Sequence, residues 1–204
     1  MLIDQTYRVK EINQIEAYLI PKALDFLTCE KIVTCIDNNC RKQLAASPVS
    51  NDFNKNKLGS VCNVENIAEY KSIIKYAQEA IIDYLNLPFE NSEPLKGFRY
   101  LVGESEPRDY DFFPKRSKLY NQNTRKGGQR TYTIQLYLND VINGGATTFP
   151  TIDFSIMPTV GSLLIWNNLT DNHKENYDTL HESLPPKSNS KFVLSQCFRQ
   201  SNFR

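Results

Sequence analysis

From residue 98 to residue 198 the chain is written in short apolar runs with turn signals between them, a pattern that restricts it to a small set of β-cores. Phe98-Arg99-Tyr100-Leu101-Val102, Thr131 to Leu138, Phe154 to Pro158, Ser162-Leu163-Leu164-Ile165-Trp166 and Phe192 to Phe198 each read as a strand, and Asn143-Gly144-Gly145 reads as a turn. Several strands this short at this spacing predict a sandwich or barrel. Before residue 96 the period changes. Leu24, Phe26, Leu27, Ile32, Val33 and Ile36 recur at three- and four-residue spacing and predict a helix over about 21–45. Ile67, Tyr70, Ile73, Ile74, Ala77, Ala80 and Ile81 trace one face of a second helix over about 64–85, closed by Asn86-Leu87-Pro88. Residues 1–20 suggest a short strand and an approach segment, and the Ser-, Asn- and Lys-rich stretch 46–62 reads as a loop. Helices first and strands afterwards give an α+β reading: a double-stranded β-helix, or jelly roll, with N-terminal helices packed on one outer face.

A length of 204 residues suits one domain, with 1–95 as a mainly helical flank and 96–204 as the jelly-roll core. The formal net charge of +1 gives no push toward nucleic acid or an anionic membrane. No apolar stretch is long enough to span a bilayer. The opening Met1-Leu2-Ile3-Asp4-Gln5-Thr6-Tyr7-Arg8 lacks the apolar segment of a secretory signal. An odd set of five cysteines, Cys29, Cys35, Cys40, Cys62 and Cys197, then favours reduced thiols in a cytoplasm. Three of them lie close together without a Cys-x-x-Cys, and read as small buried residues rather than a zinc site.

The candidate chemistry begins at Asp109-Tyr110-Asp111. On a strand, carboxylates two apart point to one face and repel unless a cation or proton joins them, although a polar loop explains the same letters. His181, one of two histidines, stands just before the last strand, and Lys191 follows ten residues later. Alone, the first reads as structural and the second as a solvated strand-edge lysine.

Taken in order, Arg99-Tyr100, Gly103, Asp109-Tyr110-Asp111, Tyr137-Leu138-Asn139-Asp140, Gly144-Gly145-Ala146-Thr147-Thr148-Phe149-Pro150, Gly161, His181 and Lys191 make a series. This series resembles the prolyl 4-hydroxylase branch of the iron(II)/2-oxoglutarate dioxygenases. The likeness is clear over 95–200, and its most specific part is the Gly-Gly-x-Thr-x-Phe-Pro after a Tyr-Leu-Asn-Asp strand end. The resemblance implies a metal site of Asp109, Asp111 and His181, and a 2-oxoglutarate pocket with Lys191 pairing the far carboxylate and Tyr100, Tyr137 and Thr147 lining it. For Tyr100 and Tyr137 a plain core role stands equally open. The implied activity is an oxygenase, a hydroxylase of a peptide, amino acid or small molecule, that converts 2-oxoglutarate to succinate and CO₂.

The chain departs from the family pattern at three places. Asp109 stands where the first histidine ligand belongs, Cys197 where a tryptophan is common near substrate, and Pro186-Lys187-Ser188-Asn189-Ser190 lacks a glycine ahead of the lysine. Two carboxylates and one imidazole make a harder, more negative site than two imidazoles and one carboxylate, so Mn(II) or another hard divalent cation gains on Fe(II). Asp111 is kept, so the change does not suggest a halogenase, which loses the carboxylate. Three readings follow: a working altered triad, a jelly-roll binding module that has lost redox chemistry, and a site using a non-redox metal. The stretch from Phe112 to Gln129 carries Lys115, Arg116, Lys118, Arg125 and Lys126. It reads as a lid favouring an acidic substrate or, equally, as a solvated loop. The sequence carries no signature of oligomeric state.

Overall fold

A computed structural model describes residues 10–12, 15–42 and 58–204. The strands are β1 Lys10–Ile12, β2 Ala17–Ile20, β3 Arg41–Lys42, β4 Ser60–Asn63, β5 Lys96–Tyr100, β6 Glu106–Asp109, β7 Arg130–Tyr137, β8 Thr147–Phe149, β9 Phe154–Ile156, β10 Leu163–Asn167, β11 His181–Ser183 and β12 Lys191–Arg199. The α-helices are α1 Phe26–Asn39, α2 Lys71–Asp83 and the short α3 Tyr120–Thr124. Eight strands form one sheet in the order β1-β2-β10-β7-β12-β5-β4-β3, and four form a second in the order β6-β11-β8-β9. The ladders within both sheets are antiparallel. The protein is a jelly roll with helices on one side, the α+β architecture that the order of periodicities predicts.

Two apolar layers explain why the central strands read as almost continuous apolar runs. Along β10, Leu163 and Ile165 face the helices, while Leu164 and Trp166 face the second sheet. Along β7, Ile134 and Leu136 join the helical layer and Tyr137 joins the inner one. The helical layer gathers Ile32, Ile36, Ile74 and Ile81 against Leu194 and Phe198. The inner layer gathers Phe149 and Ile156 of the small sheet against Val193 and Trp166 of the large one.

The boundaries differ from the periodic reading where local chemistry intervenes. α1 begins at Phe26 because Asp25 caps it, its carboxylate accepting from the Thr28 N–H at 2.9 Å. α2 begins only at Lys71, since Val64–Asn66 and Ala68–Tyr70 form 3₁₀ turns first. Part of the stretch read as a loop, Ser60–Asn63, is a strand paired to β5; residues 46–57 of that stretch lie outside the described residues. The segment before residue 96 therefore supplies strands to the main sheet as well as helices. No helix among the described residues is long and apolar enough to cross a membrane. Cys40 and Cys62 are joined as a disulfide, which corrects the expectation of five reduced thiols; Cys29, Cys35 and Cys197 are free and buried.

Candidate active site

Side chains from five strands, β5, β7, β8, β11 and β12, meet between the two sheets. Tyr100 and Lys191 are opposite each other across β5 and β12, so both point to the same face. Tyr137 reaches inward from β7 and donates its hydroxyl to Thr147 Oγ1 of β8 at 2.9 Å. The Thr147 hydroxyl donates in turn to Gln135 at 3.1 Å. Lys191 is 1% exposed. Its ammonium donates to Ser183 Oγ at 2.8 Å and to Thr147 Oγ1 at 3.3 Å, and lies over the rings of Tyr100 and Tyr137 at 5.6 and 5.5 Å. Among the described residues no carboxylate comes within ion-pair distance of it. A buried ammonium held by neutral hydroxyls is expensive. Burial accordingly pushes its pKa down to about 7, against the opposing charge of Glu106. Gly59 makes room for this corner: a Cβ there would lie 2.5 Å from Cδ1 of the Tyr100 ring.

His181 opens β11, two residues before Ser183, so both point into the same pocket roughly 7 Å apart along the strand. Its Nδ1 lies 3.0 Å from the Thr179 carbonyl. That contact is a hydrogen bond if Nδ1 carries the proton, and it leaves Nε2 with its lone pair free. Nε2 lies 3.7 Å from Asp111 Oδ2. Trp166 and Phe149 wall the ring at 4.9 and 5.8 Å. Asp111 Oδ2 is buried and has no hydrogen-bond partner. On the other side, Arg130 Nη1 donates to the Asp111 carbonyl at 3.3 Å and stands 4.0 Å from Oδ1. An orphaned carboxylate oxygen beside an imidazole lone pair is an arrangement that a cation satisfies.

Asp109 enters differently from the expectation. The strand ends at Asp109, so Asp111 lies beyond it and the two carboxylates are not a same-face pair of one strand. Asp109 is instead the cross-strand partner of His181, which puts its side chain on the pocket face. Its Oδ1 accepts the N–H of Tyr110 at 2.8 Å. Among the described residues no three His, Cys, Asp or Glu side chains form a group ready to hold a metal ion. The pair His181 and Asp111 fits a metal ion; Asp109 faces His181 from the neighbouring strand without completing the set.

Glu106 was not visible in the sequence. The ladder between β6 and β11 pairs Asp109 with His181 and Glu106 with Ser183, a step of three residues against two. This bulge puts Glu106 and Asp109 on one face, whereas simple alternation would split them. The Tyr100 hydroxyl donates to Glu106 Oε2 at 2.5 Å. Burial raises the Glu106 carboxyl above its usual range, although the Tyr100 bond and the charges of His181 and Lys191 pull the other way. Burial, and then the Glu106 charge, also holds the Tyr100 phenol well above its ordinary value.

The basic stretch is tied down at its base. Phe113 N–H donates to the Gln129 side chain at 2.7 Å, and Gln129 Nε2 returns a bond to the Phe113 carbonyl at 2.7 Å. Lys115 N–H donates to Glu175 at 2.6 Å, while the side chains of Lys115, Arg116, Lys118, Arg125 and Lys126 are exposed. Cys197 lies buried at the Thr133 position of β7, and burial pushes its thiol up to about 12.

No protein-family model matches the sequence. A provisionally named prolyl 4-hydroxylase of Acanthamoeba polyphaga mimivirus is 30% identical over 138 residues, covering 67% of this chain and 57% of that protein. Prolyl 4-hydroxylase 5 of Arabidopsis thaliana is 32% identical over 111 residues, covering 54% of this chain and 35% of that one. The chain thus spans from about a third to somewhat over half the length of these relatives. The viral collagen prolyl hydroxylase from Paramecium Bursaria Chlorella virus-1, solved with 2-oxoglutarate, superimposes with a TM-score of 0.60 at 20% identity, covering 90% of this chain and 94% of that one. A prolyl hydroxylase from Trichoplax adhaerens, in complex with a hypoxia inducible factor peptide fragment, gives 0.59 at 16% identity over 92% of this chain and 85% of that one. Relatives in sequence support a prolyl 4-hydroxylase-like family for this chain, and its neighbours in fold share the jelly roll.

Proposed function

We propose that this chain is a 2-oxoglutarate-dependent hydroxylase-type oxygenase, that residues 1–204 act as one domain, and that Lys191 receives the cofactor's distal carboxylate. The observation that carries the reading is the buried Lys191 ammonium, solvated only by Ser183 and Thr147. An anion entering there supplies the counter-charge that the fold withholds. Tyr100, Tyr137 and Thr147 line the same corner, the two rings lying beside the ammonium and Thr147 Oγ1 accepting from it.

At the other end, His181 and Asp111 would hold the metal, with Asp109 facing them from the opposite strand. When bound, iron(II) with 2-oxoglutarate couples reduction of O₂ to oxidation of a substrate, giving succinate and CO₂. The chain's own work is positional. The Thr179 carbonyl orients the His181 ring, Arg130 anchors Asp111 through its backbone, and Phe149 and Trp166 exclude water from the ring face. The relatives' names make a prolyl residue in a peptide one substrate to try, beside free amino acids and small molecules. Buried Cys197 leaves no broad aromatic surface at that position for a proline ring.

A second reading, a binding module without redox chemistry, draws on one observation: Asp109 spends an oxygen on the Tyr110 N–H, and among the described residues no three-ligand group forms. Anaerobic titration of Fe(II) and then 2-oxoglutarate separates the two. The oxygenase reading expects a weak visible metal-to-ligand charge-transfer band in the native protein that His181→Ala abolishes. Absence of the band in the native protein, with its appearance in Asp109→His, would move the assignment to the binding module. The same titration with Mn(II) tests the harder-cation expectation for a site of two carboxylates and one imidazole.

A further inference from the structure

The pocket already contains a carboxylate of its own. Glu106 projects from β6 beside the Ser183 that holds Lys191, and its Oε2 accepts a hydrogen bond from the Tyr100 hydroxyl at 2.5 Å. A phenol has one proton to donate. While Glu106 holds it, Tyr100 cannot donate to anything that arrives at Lys191. The arrangement exists only because of the bulge in β6, which turns Glu106 to the pocket face together with Asp109.

The geometry points to Glu106 as a built-in competitor for the carboxylate subsite: a dicarboxylate ligand reaches Lys191 with its full set of donors only when Glu106 releases the Tyr100 hydroxyl. This inference rests on the reading of the pocket as an oxoglutarate site and goes beyond it, because it makes Glu106 the residue that sets how tightly that ligand is held. Two effects act against the ligand, and they outweigh the one that favours it, the help the Glu106 charge gives in keeping Lys191 protonated. The Glu106 charge repels an incoming dianion in a poorly solvated pocket, and its hydrogen bond removes a donor that the dianion needs. The charge disappears in both Glu106→Gln and Glu106→Ala; the acceptor for the Tyr100 hydroxyl disappears only in Glu106→Ala, while Gln keeps an amide oxygen and adds an N–H donor of its own.

The groups around Glu106 are Tyr100 from β5, Lys191 from β12, His181 from β11, Asp111 beyond the end of β6 and, on its own face of β6, Asp109. Protonating Glu106 removes the repulsion, and protonated Lys191 attracts the ligand. Affinity for a dicarboxylate therefore rises as pH falls, and the Glu106 share of that slope is lost in Glu106→Gln.

The test is isothermal titration of the Mn(II)-loaded full chain, under argon, with 2-oxoglutarate. Pyruvate is titrated in parallel; it keeps the 2-oxo acid end and lacks the distal carboxylate. Glu106→Gln and Glu106→Ala should each bind 2-oxoglutarate about tenfold tighter than the native chain at pH 7.5, a change of about 1.4 kcal/mol. Pyruvate affinity should be unchanged, and Lys191→Ala should lose the preference for 2-oxoglutarate over pyruvate. Equal or weaker 2-oxoglutarate binding by both Glu106 variants overturns the competitor role while leaving the oxoglutarate reading intact. Equal tightening for pyruvate also overturns it, since the effect would then lie at the metal end. No binding of 2-oxoglutarate by the native chain or by either Glu106 variant removes the oxoglutarate reading and this inference together.

Discussion

Lys191 is the residue whose surroundings conflict most with its chemistry. Its pKa falls from 10.5 to about 7 because burial opposes the charge. The unfolded chain then binds more protons than the folded one between about pH 7 and about pH 10.5. The cost to stability is full below pH 7 and fades as pH rises through that window. Lys191→Met removes the ammonium at similar length. It should raise stability by on the order of a few kcal/mol at pH 6, and by much less at pH 10. Thermal melts across that range check both sign and window. The same variant should lose 2-oxoglutarate binding, a trade of stability against function expected of a ligand-binding residue. His181 belongs at this scale too. Its value to the site is the orientation that Thr179 imposes, not its bare presence near the last strand.

At the scale of elements, the pocket depends on how closely α1 lies against the sheet. Gly97 on β5 is the contact point: a Cβ there would sit 2.6 Å from Ile36 Cγ1 of the helix and 2.8 Å from Val64 Cγ1. Both neighbours are fully buried, so neither can retreat cheaply. Gly97→Ala should cost about 1–3 kcal/mol by overpacking, read as a lower urea midpoint with an unchanged slope. The loop before β8 depends on glycine for another reason. Gly144 and Gly145 both take φ near +72°, a conformation that side-chain-bearing residues adopt only with strain. β6 shows what one extra residue does to an element. Its bulge carries Glu106 into the pocket and leaves Asp111 past the strand end, so two residues of one short segment reach the site by different routes.

On the scale of the molecule, a buried charge network joins the chain's C-terminal stretch to the site. Glu93 accepts from Arg130 at 2.7 and 2.8 Å and pairs with Arg199 at 2.5 Å, and Arg130 continues to Asp111. Both guanidiniums lie over the Phe113 ring, at 4.8 and 4.6 Å from its centroid. Burial pushes the Glu93 carboxyl up, but its bond to Arg130 and the charges of Arg130 and Arg199 outweigh it, and the pKa is lowered. Glu93 therefore contributes stability above its unfolded value, near 4.5, which is lost as pH falls through the folded value. Glu93→Gln should lower stability at pH 7 by about 3 kcal/mol, because two guanidiniums lose their counter-charge. It should also flatten the fall in stability below pH 4.5. Denaturant melts at pH 7 and pH 4 measure both.

The sequence by itself determined the class of the fold, because short apolar runs between turn signals after residue 96 and a period of three to four before it leave apolar surfaces that only layered helices and sheets can bury. Lys191, Tyr100, Tyr137, Thr147, His181 and Asp111 were legible as candidates because their order along the chain resembles a known family, and the fold brings them to one pocket. Only the tertiary structure decided which groups actually face one another there. The bulge that turns Glu106 inward is a register event between two strands 70 and more residues apart, and no local period encodes it. The pairing of Cys40 with Cys62 and the capture of Arg130 and Arg199 by Glu93 are of the same kind. A side chain's partners are set by what lies across the sheet, and that information is spread over distant parts of the chain.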